Sequence, residues 1–178
     1  MRNDIEKVLY SEEVILKKVK EMAKKISDDY REKDLLMVVI LKGSVIFASD
    51  LIKNIDIPCD IDFMAVSSYG SGSESSGNVV IKKDIDGNVE GRDILIVEDI
   101  VDTGNTLSFL VDYFKEKNAS SVKIVTLLDK PSRRNVNVDV EYSGFEVPNE
   151  FLVGYGLDYN EKYRNLPFVG ILKSSLYS

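Results

Sequence analysis

Two adjacent carboxylates and a polar turn lie together in the stretch ILIVEDIVDTGNTL, residues 94 to 107. The apolar residues 94 to 97 predict a buried strand that ends just before Glu98 and Asp99. Adjacent carboxylates at the end of a buried strand repel each other and resist desolvation, so they need a cation or hydroxyl donors nearby. Beside a phosphate, Mg²⁺ and sugar hydroxyls would be suitable partners. Solvated acids on an exposed loop are the alternative interpretation.

The turn that follows, DTGNT at residues 102 to 106, has the composition of an anion site, and we call it the anion loop. Between a strand and a helix, its backbone N–H groups would lie at a helix N-terminus, where the helix dipole favours a phosphate. Gly104 permits close approach of the backbone, and the hydroxyls of Thr103 and Thr106 can donate further hydrogen bonds. An ordinary helix cap is the alternative, because Asp and Thr are common capping residues. The residues alone leave Asp102 open between a cap and a chemical role.

The composition excludes several classes of function. The chain has 178 residues, a formal net charge of −7, one cysteine and no histidine. Without histidine, Ser-His-Asp catalysis, Cys-His catalysis and His-ligated zinc sites are excluded, so acid–base chemistry falls to Asp, Glu, Lys or Tyr. The acidic balance argues against a nucleic-acid partner or an anionic membrane surface. The N-terminal residues lack a signal peptide, and the single Cys59 fits a reducing compartment, so we expect a cytoplasmic protein without a membrane partner.

Strands that alternate with helices are expected to position these groups. Continuous apolar runs predict buried strands at residues 35–41 and 94–97. Further strands are predicted at residues 61–66 and 122–128, with short late strands at 151–153 and 168–172. Apolar residues at helical spacing predict helices that start near Ser11, Val45 and Thr103. Ser11 would cap the first helix, whose inner face is predicted to consist of Ile15, Val19, Met22, Ala23 and Ile26. The second helix is predicted to pack on the sheet through Val45, Ile46, Ala48, Leu51 and Ile52. Residues 79–85, Asp86-Gly87 and the residues after them are interpreted as an antiparallel hairpin. The pattern is typical of an α/β protein with a mostly parallel twisted sheet flanked by helices.

Polar residues stand at the carboxyl ends of three predicted strands: Lys42-Gly43, Glu98-Asp99 and Asp129-Lys130. In open α/β sheets the ligand site lies beyond this edge, so we expect these distant segments to converge. Lys42 and Gly43 can present an ammonium and backbone N–H groups to a phosphate, although Lys-Gly-Ser is also an ordinary turn. Residues 67–78, SSYGSGSESSGN, are too polar to offset the entropy of ordering, and they are interpreted either as a linker or as a lid that excludes water.

Several of these segments resemble one known family. VEDIVDTGNTL is similar to the phosphoribosyl diphosphate signature of type I phosphoribosyltransferases. LKGS at 41–44, SSYG at 67–70, LLDKP at 127–131 and GFEVPNEFLVGYGLDYNEKYRNLPFVG at 144–170 resemble its hypoxanthine-guanine branch. The resemblance implies the type I phosphoribosyltransferase fold as one domain over residues 1–178, with a small hood lobe from the N-terminal segment and roughly residues 130–178. The implied function is purine salvage.

The resemblance implies a reaction and its reacting groups. The 5-phosphoribosyl group would pass from phosphoribosyl diphosphate to hypoxanthine, with guanine as a second expected acceptor, giving IMP or GMP and diphosphate. Asp102 would be the general base that takes the proton from ring nitrogen 7. The 5-phosphate would be bound by Thr103, Gly104, Asn105 and Thr106. Glu98 and Asp99 would engage the ribose hydroxyls and Mg²⁺.

The remaining implied roles fall on residues far apart in the chain. Diphosphate would be bound by Lys42, Gly43 and Arg164, with a cis peptide bond between Leu41 and Lys42. The purine site would contain Lys130 at the 6-oxo group, Phe151 stacked on the base, Leu152 at the base edge, and Asp158, which would also reach a second Mg²⁺ through water. Ser68 and Tyr69 would begin the lid. A core aromatic and a surface lysine are the alternatives for Phe151 and Lys130.

Two further expectations concern partners and a competing class. Relatives are usually dimers or tetramers, so the resemblance implies a homodimer or homotetramer. A regulator that keeps this fold, senses phosphoribosyl diphosphate and binds nucleic acid is the competing interpretation. It would need a basic surface or an added binding domain, and the sequence shows neither.

Overall fold

The computed structural model describes residues 1–68 and 79–177 and has nine strands and three α-helices in those ranges. In chain order they are β1 (Ile5–Tyr10), α1 (Glu12–Asp29), β2 (Leu35–Leu41), α2 (Val45–Ile52), β3 (Asp60–Ser68), β4 (Val79–Lys83), β5 (Asp93–Val101), α3 (Asn105–Glu116), β6 (Ser121–Asp129), β7 (Tyr142–Glu146), β8 (Leu152–Val153) and β9 (Val169–Leu172). Short 3₁₀ turns lie at Arg2–Asp4, Pro131–Arg133 and Ser174–Leu176.

A six-stranded sheet in the order β4-β3-β2-β5-β6-β7 forms the centre of the molecule. Its strands are parallel except β4, which pairs antiparallel with β3 at the edge. β2 pairs with both β3 and β5, and its first six residues are buried. This burial explains its unbroken apolar sequence LLMVVIL, since both faces of a central parallel strand are covered. The predicted mostly parallel sheet flanked by helices is confirmed.

The helices cover both faces of this sheet. Alternate residues of β2 and β5 pack against α1 and α2 in one core and against α3 in the other. The Oγ of Ser11 accepts a hydrogen bond from the Val14 N–H (3.4 Å), so the predicted cap of α1 is confirmed. Its buried face consists of the residues that the spacing predicts, Ile15, Val19, Met22, Ala23 and Ile26, together with Ser27. No helix in the described ranges is long and apolar enough to cross a bilayer.

Two local predictions were wrong. The predicted helix α2 does pack on the sheet, but its buried face consists of Phe47, Ala48 and Leu51, whereas Val45 and Ile46 are exposed. The hairpin at Asp86-Gly87 does not form. β4 pairs with β3 instead, and the chain after Gly87 leads into β5, which pairs in parallel with β2 and β6. The long parallel ladder of β5 outweighs the local preference of Asp-Gly for a tight turn.

A second sheet of three antiparallel strands, in the order β1-β9-β8, joins the two ends of the chain. β1 was not predicted, because IEKVLY lacks both a continuous apolar run and strict alternation. The sheet packs on a separate apolar cluster formed by Val153, Tyr163, Leu166, Phe168 and Leu172. β7 also lacked a clear signal in the sequence.

Candidate active site

The carboxyl edge of the central sheet brings the predicted segments together. The Oγ of Ser44, just after β2, donates to Glu98 Oε1 of β5 at 3.0 Å. The Lys130 N–H, just after β6, donates to the Val101 carbonyl at 2.9 Å. A cavity of about 400 Å³ opens at this edge, and its lining includes Ile40, Glu98, Asp102, Thr103, Gly104 and Thr106. The expected convergence of the three strand ends is therefore confirmed.

Glu98 and Asp99 are part of a strand rather than the start of a loop. The predicted strand ended at residue 97, but β5 continues to Val101, with Glu98 opposite Thr126 and Val101 opposite Asp129 of β6. Both acids are partly buried, so the interpretation as solvated loop acids is wrong. The strand continues because β6 is equally long and supplies backbone partners past the two acids.

The paired acids lie in an environment that disfavours their charge. Burial raises the pKa of Glu98 well above its ordinary value, and the neighbouring Asp99 charge adds to the shift. Burial also raises the pKa of Asp99, although hydrogen bonds and the Arg164 guanidinium oppose the shift. Glu98 Oε1 accepts from Ser44 and from the Asp99 N–H (3.2 Å), and Asp99 Oδ1 accepts from the Ile100 N–H (2.8 Å). A cation or hydroxyl donors would relieve this pair.

Gly43 lies against the Asp99 carboxylate. A Cβ built on Gly43 would overlap Asp99 Oδ2, so only glycine leaves room for the acid in its present position. The peptide bond between Leu41 and Lys42, at the end of β2, is cis, as the resemblance implied. The turn after β2 and the acid pair of β5 therefore form one packed unit.

The anion loop places backbone donors at the start of α3. Gly104 is the N-cap residue with φ +87°, and a Cβ there would lie 2.9 Å from the Val136 carbonyl oxygen. The Thr103 carbonyl accepts from the N–H groups of Asn135 (2.9 Å) and Val136 (3.2 Å), which fixes the loop from outside. No side chain caps α3, so the interpretation of Asp102 as a helix cap is wrong.

Asp102 and Lys130 lie beside each other at this edge. Arg133 Nε is 3.0 Å from Asp102 Oδ1, yet this buried oxygen accepts no hydrogen bond within the described residues. Lys130 is 8% exposed and its Nζ donates to the Glu150 carbonyl at 2.9 Å, so the surface-lysine alternative is wrong. Burial lowers the pKa of Lys130, while the charge of Asp102 opposes that shift. Arg133 was not singled out, because nothing in its local sequence marks it.

A turn after β8 carries Arg164 to the Lys42 side of the site. Arg164 Nη1 donates to the Gly156 carbonyl (2.8 Å), and Nη2 lies 2.8 Å from Asp158 Oδ1. Lys42 Nζ is 3.2 Å from Glu161 Oε2. The structure therefore places Arg164 and Asp158 together and links Lys42 to them through Glu161. Sequence reasoning missed Glu161, because its partner Lys42 lies 119 positions away.

An aromatic group stands beside the small sheet. The Phe151 ring meets Tyr159 edge to face (centroids 5.4 Å apart) and stacks with Tyr177 (4.9 Å, 29° between planes). Leu152 begins β8 and is buried. Phe151 is only partly buried at the margin of the apolar cluster, so a core role and a base platform both fit its position. No sequence signal marked Tyr177.

The predicted lid lies largely outside the described residues, and the predicted metal ligands form no complete metal site by themselves within those residues. Ser68 ends β3, and Tyr69 lies outside the described residues, as do residues 70–78 of the predicted lid or linker. In residues 1–68 and 79–177, no three Asp, Glu, Cys or His side chains lie close enough to hold a metal by themselves. Glu98 and Asp99 fit Mg²⁺ as part of a site completed by ligand oxygens and water, which is the usual coordination of this ion.

Comparisons with known proteins agree with this geometry. The family model described as phosphoribosyl transferase domain matches residues 7–160. A hypoxanthine-guanine phosphoribosyltransferase of Streptococcus agalactiae is 56% identical over 178 residues, which cover 100% of this chain and 99% of the relative. A bifunctional protein TilS/HprT of Listeria innocua is also 56% identical, but the chain spans 28% of that protein's length.

The similar solved structures are also hypoxanthine phosphoribosyltransferases. The crystal structure of a hypoxanthine phosphoribosyltransferase from Staphylococcus aureus is similar with a TM-score of 0.97 and 50% identity, over 100% of this chain and 97% of that one. A hypoxanthine phosphoribosyltransferase from Trypanosoma cruzi, solved as a ternary substrates complex, has a TM-score of 0.93 at 39% identity, over 99% of this chain and 100% of that one.

Proposed function

The chain belongs to the phosphoribosyltransferase family, in its hypoxanthine-guanine branch, and on that premise we propose that it is a purine-salvage transferase. It moves the 5-phosphoribosyl group from phosphoribosyl diphosphate to hypoxanthine, and to guanine as a second acceptor, and releases IMP or GMP and diphosphate. One observation carries the proposal: Glu98 and the glycine-capped anion loop line one cavity of about 400 Å³, and Glu98 is paired there with the partly buried Asp99.

The phosphoribosyl half of the substrate fits the β5 side of the cavity. Backbone N–H groups at the start of α3, with Thr103, Gly104, Asn105 and Thr106, bind the 5-phosphate. Glu98 and Asp99 accept hydrogen bonds from the ribose hydroxyls, and this contact relieves their mutual repulsion. The loop keeps its shape because the Thr103 carbonyl is tied to the Asn135 and Val136 N–H groups.

The diphosphate half fits the β2 side. Lys42, the Gly43 backbone and Arg164 supply positive charge and donors to its oxygens. The residues that would hold Mg²⁺ are Glu98 and Asp99, with Asp158 reaching a second ion through water. When bound, Mg²⁺ stabilises the negative charge that develops on the departing diphosphate.

The purine enters between β6 and the small sheet. Lys130 donates to the 6-oxo group, Phe151 stacks on the ring, and Leu152 meets the base edge through its backbone. Asp102 Oδ1 accepts no hydrogen bond within the described residues, although Arg133 Nε lies 3.0 Å away, and we assign Asp102 to take the proton from ring nitrogen 7 as the glycosidic bond forms. A positioned base contributes about 10²–10⁴-fold to the rate. Lys130 and Asp102 lie on neighbouring strand ends, which lets one base contact both.

The proposal also extends to location, partners and domain organisation. The chain would act in the cytoplasm as a homodimer or homotetramer, without nucleic acid or membrane partners. Residues near the N-terminus and after about residue 130 would form the hood lobe, because the small sheet combines β1 with β8 and β9. Sedimentation of the purified chain tests the oligomeric state.

The experiment that tests the proposal is diphosphate release from phosphoribosyl diphosphate and Mg²⁺ with a panel of bases. Hypoxanthine and guanine are expected to be turned over, whereas adenine, uracil and orotate are not, since Lys130 addresses a 6-oxo group beside a purine ring. Xanthine defines the tolerance at position 2. If neither hypoxanthine nor guanine supports release, the proposed function is wrong.

A further inference from the structure

One carboxylate oxygen joins the two cations assigned above to diphosphate. Glu161 Oε2 accepts a hydrogen bond from Lys42 Nζ at 3.2 Å and lies 3.4 Å from Arg164 Nη2. Arg164 also holds Asp158 Oδ1 at 2.8 Å. In the structure, therefore, a negatively charged oxygen of the chain itself contacts both cations.

The backbone holds Glu161 in this position. Asn160 and Glu161 have φ values of 51° and 60°, in the left-handed region that residues with a Cβ rarely adopt. The Glu161 N–H donates to Asp158 Oδ2 (2.9 Å), and Tyr159 and Lys162 close the turn with two mutual backbone hydrogen bonds (3.2 and 3.1 Å). The hydrogen-bonded turn at residues 159–162 thus places the Glu161 carboxylate next to Lys42 and Arg164.

The link is also weak enough to be replaced. The Lys42 and Glu161 side chains are 68% and 65% exposed, and exposed ion pairs contribute little to stability. Diphosphate carries several negative charges, and its oxygens make stronger charge-assisted contacts to lysine and arginine than one exposed carboxylate does. When diphosphate binds these cations, the Glu161 carboxylate is left next to a like charge and has to move away.

We infer that Glu161 is an internal competitor for diphosphate, which occupies Lys42 and Arg164 in the empty site and is displaced by the ligand. The inference rests on the proposed function, because that proposal assigns the two cations to diphosphate. Displacement of Glu161 subtracts from the affinity for diphosphate and for phosphoribosyl diphosphate alike. The competition therefore weakens binding of diphosphate, the product that must leave. After release, Glu161 pairs again with the two cations and opposes rebinding of diphosphate.

The test measures binding of inorganic diphosphate in the presence of Mg²⁺ by titration calorimetry. Glu161→Gln removes the charge but keeps the size, and the Kd for diphosphate is expected to fall about two- to fivefold, the range of an exposed ion pair. The KM for phosphoribosyl diphosphate should fall by a similar factor. Glu32→Gln is the matched control, since it changes the net charge equally in the exposed turn between α1 and β2, and its Kd should equal that of the unchanged protein.

A double variant locates the effect. Glu161→Gln is made both in the unchanged protein and in a Lys42→Ala variant. If Glu161 competes through Lys42, the improvement in the Kd for diphosphate will be smaller in the Lys42→Ala background. Thermal melting of each variant establishes that it is folded. An equal improvement in both backgrounds would contradict the inference.

The other outcomes are also decisive. An unchanged Kd in Glu161→Gln overturns the inference, and a weaker one shows instead that the glutamate positions the cations for the ligand. Absence of diphosphate binding to the unchanged protein overturns it as well. Diphosphate binding without turnover of hypoxanthine or guanine refutes the proposed function alone, and the comparison of Kd values still decides the role of Glu161.

Discussion

Replacement of Gly43 by alanine should damage both stability and substrate binding through one contact. The added Cβ would overlap the Oδ2 atom of Asp99, whose carboxylate is fixed by the Ile100 N–H at 2.8 Å. Gly43 directly follows β2, and Asp99 is a partly buried residue of β5, a strand paired between β2 and β6, so neither backbone can shift freely. The Asp99 side chain must therefore rotate away from the Ile100 N–H.

The magnitude follows from what this rotation loses. A hydrogen bond to a charged group is worth about 1.5–3 kcal/mol, and an off-rotamer side chain costs about 0.5–1.5 kcal/mol. Together they predict that Gly43→Ala lowers the free energy of unfolding by about 2–4.5 kcal/mol. For a chain of this size the Tm would fall by roughly 4–18 °C. Affinity for phosphoribosyl diphosphate should fall as well, because the displaced Asp99 would lose the contact with the ribose hydroxyls that we propose for it.

Urea unfolding and thermal melting measure the first effect, and calorimetric binding of phosphoribosyl diphosphate with Mg²⁺ measures the second. Gly87→Ala is the matched control: this exposed glycine has no atom within 4 Å of a built Cβ, and its backbone conformation suits other residues. Its Tm should be unchanged or slightly raised, because alanine restricts the unfolded chain. If Gly43→Ala melts and binds as Gly87→Ala does, Asp99 has room to move and the argument is wrong.

Three further predictions concern other parts of the molecule. Asp102→Asn should slow diphosphate release with hypoxanthine by about 10²–10⁴-fold, while the Kd for phosphoribosyl diphosphate stays within about twofold. Asp112→Asn on the exposed side of α3 is the control. A loss of phosphoribosyl diphosphate binding without a loss of turnover would contradict the role of Asp102 as base. Tyr177→Ala should raise the KM for hypoxanthine about two- to tenfold, since the ring supports Phe151, without changing diphosphate affinity; an unchanged KM would remove Tyr177 from the site. Burial raises the pKa of the Cys59 thiol, so iodoacetamide should modify it more slowly at neutral pH than free cysteine and faster as the pH rises, as measured by mass spectrometry.

Local patterns sufficed where one segment determines its own structure. The apolar run of β2, the Ser11 cap and the buried stripe of α1 are all set by neighbours in the sequence, and each was predicted correctly. The composition of the anion loop also indicated its position before a helix. The hairpin at Asp86-Gly87 failed because a local turn preference was set against the parallel pairing of β5, which depends on distant strands.

The site depended more on distant contacts than on local patterns. Residue reasoning reached the acid pair and its need for a cation, but it left Asp102 open between cap and base, and only the resemblance assigned purine and diphosphate roles. The contacts of Lys42 with Glu161 and of Phe151 with Tyr177 join segments whose sequences give no sign of each other. Such pairs become visible only when the fold brings the segments together.

The pairing of β1 with β9 links the order of synthesis to the completion of the proposed purine site. β1 is made before any strand of the central sheet, yet its strand partner in the described residues is β9, which is made after all of them. Closing a loop of this length costs chain entropy and slows folding. The central sheet, with the acid pair and the anion loop, can assemble while the chain is still growing. The small sheet cannot form until β9 has left the ribosome, and Phe151 directly precedes β8 of that sheet, so the proposed base contact at Phe151 would be completed last.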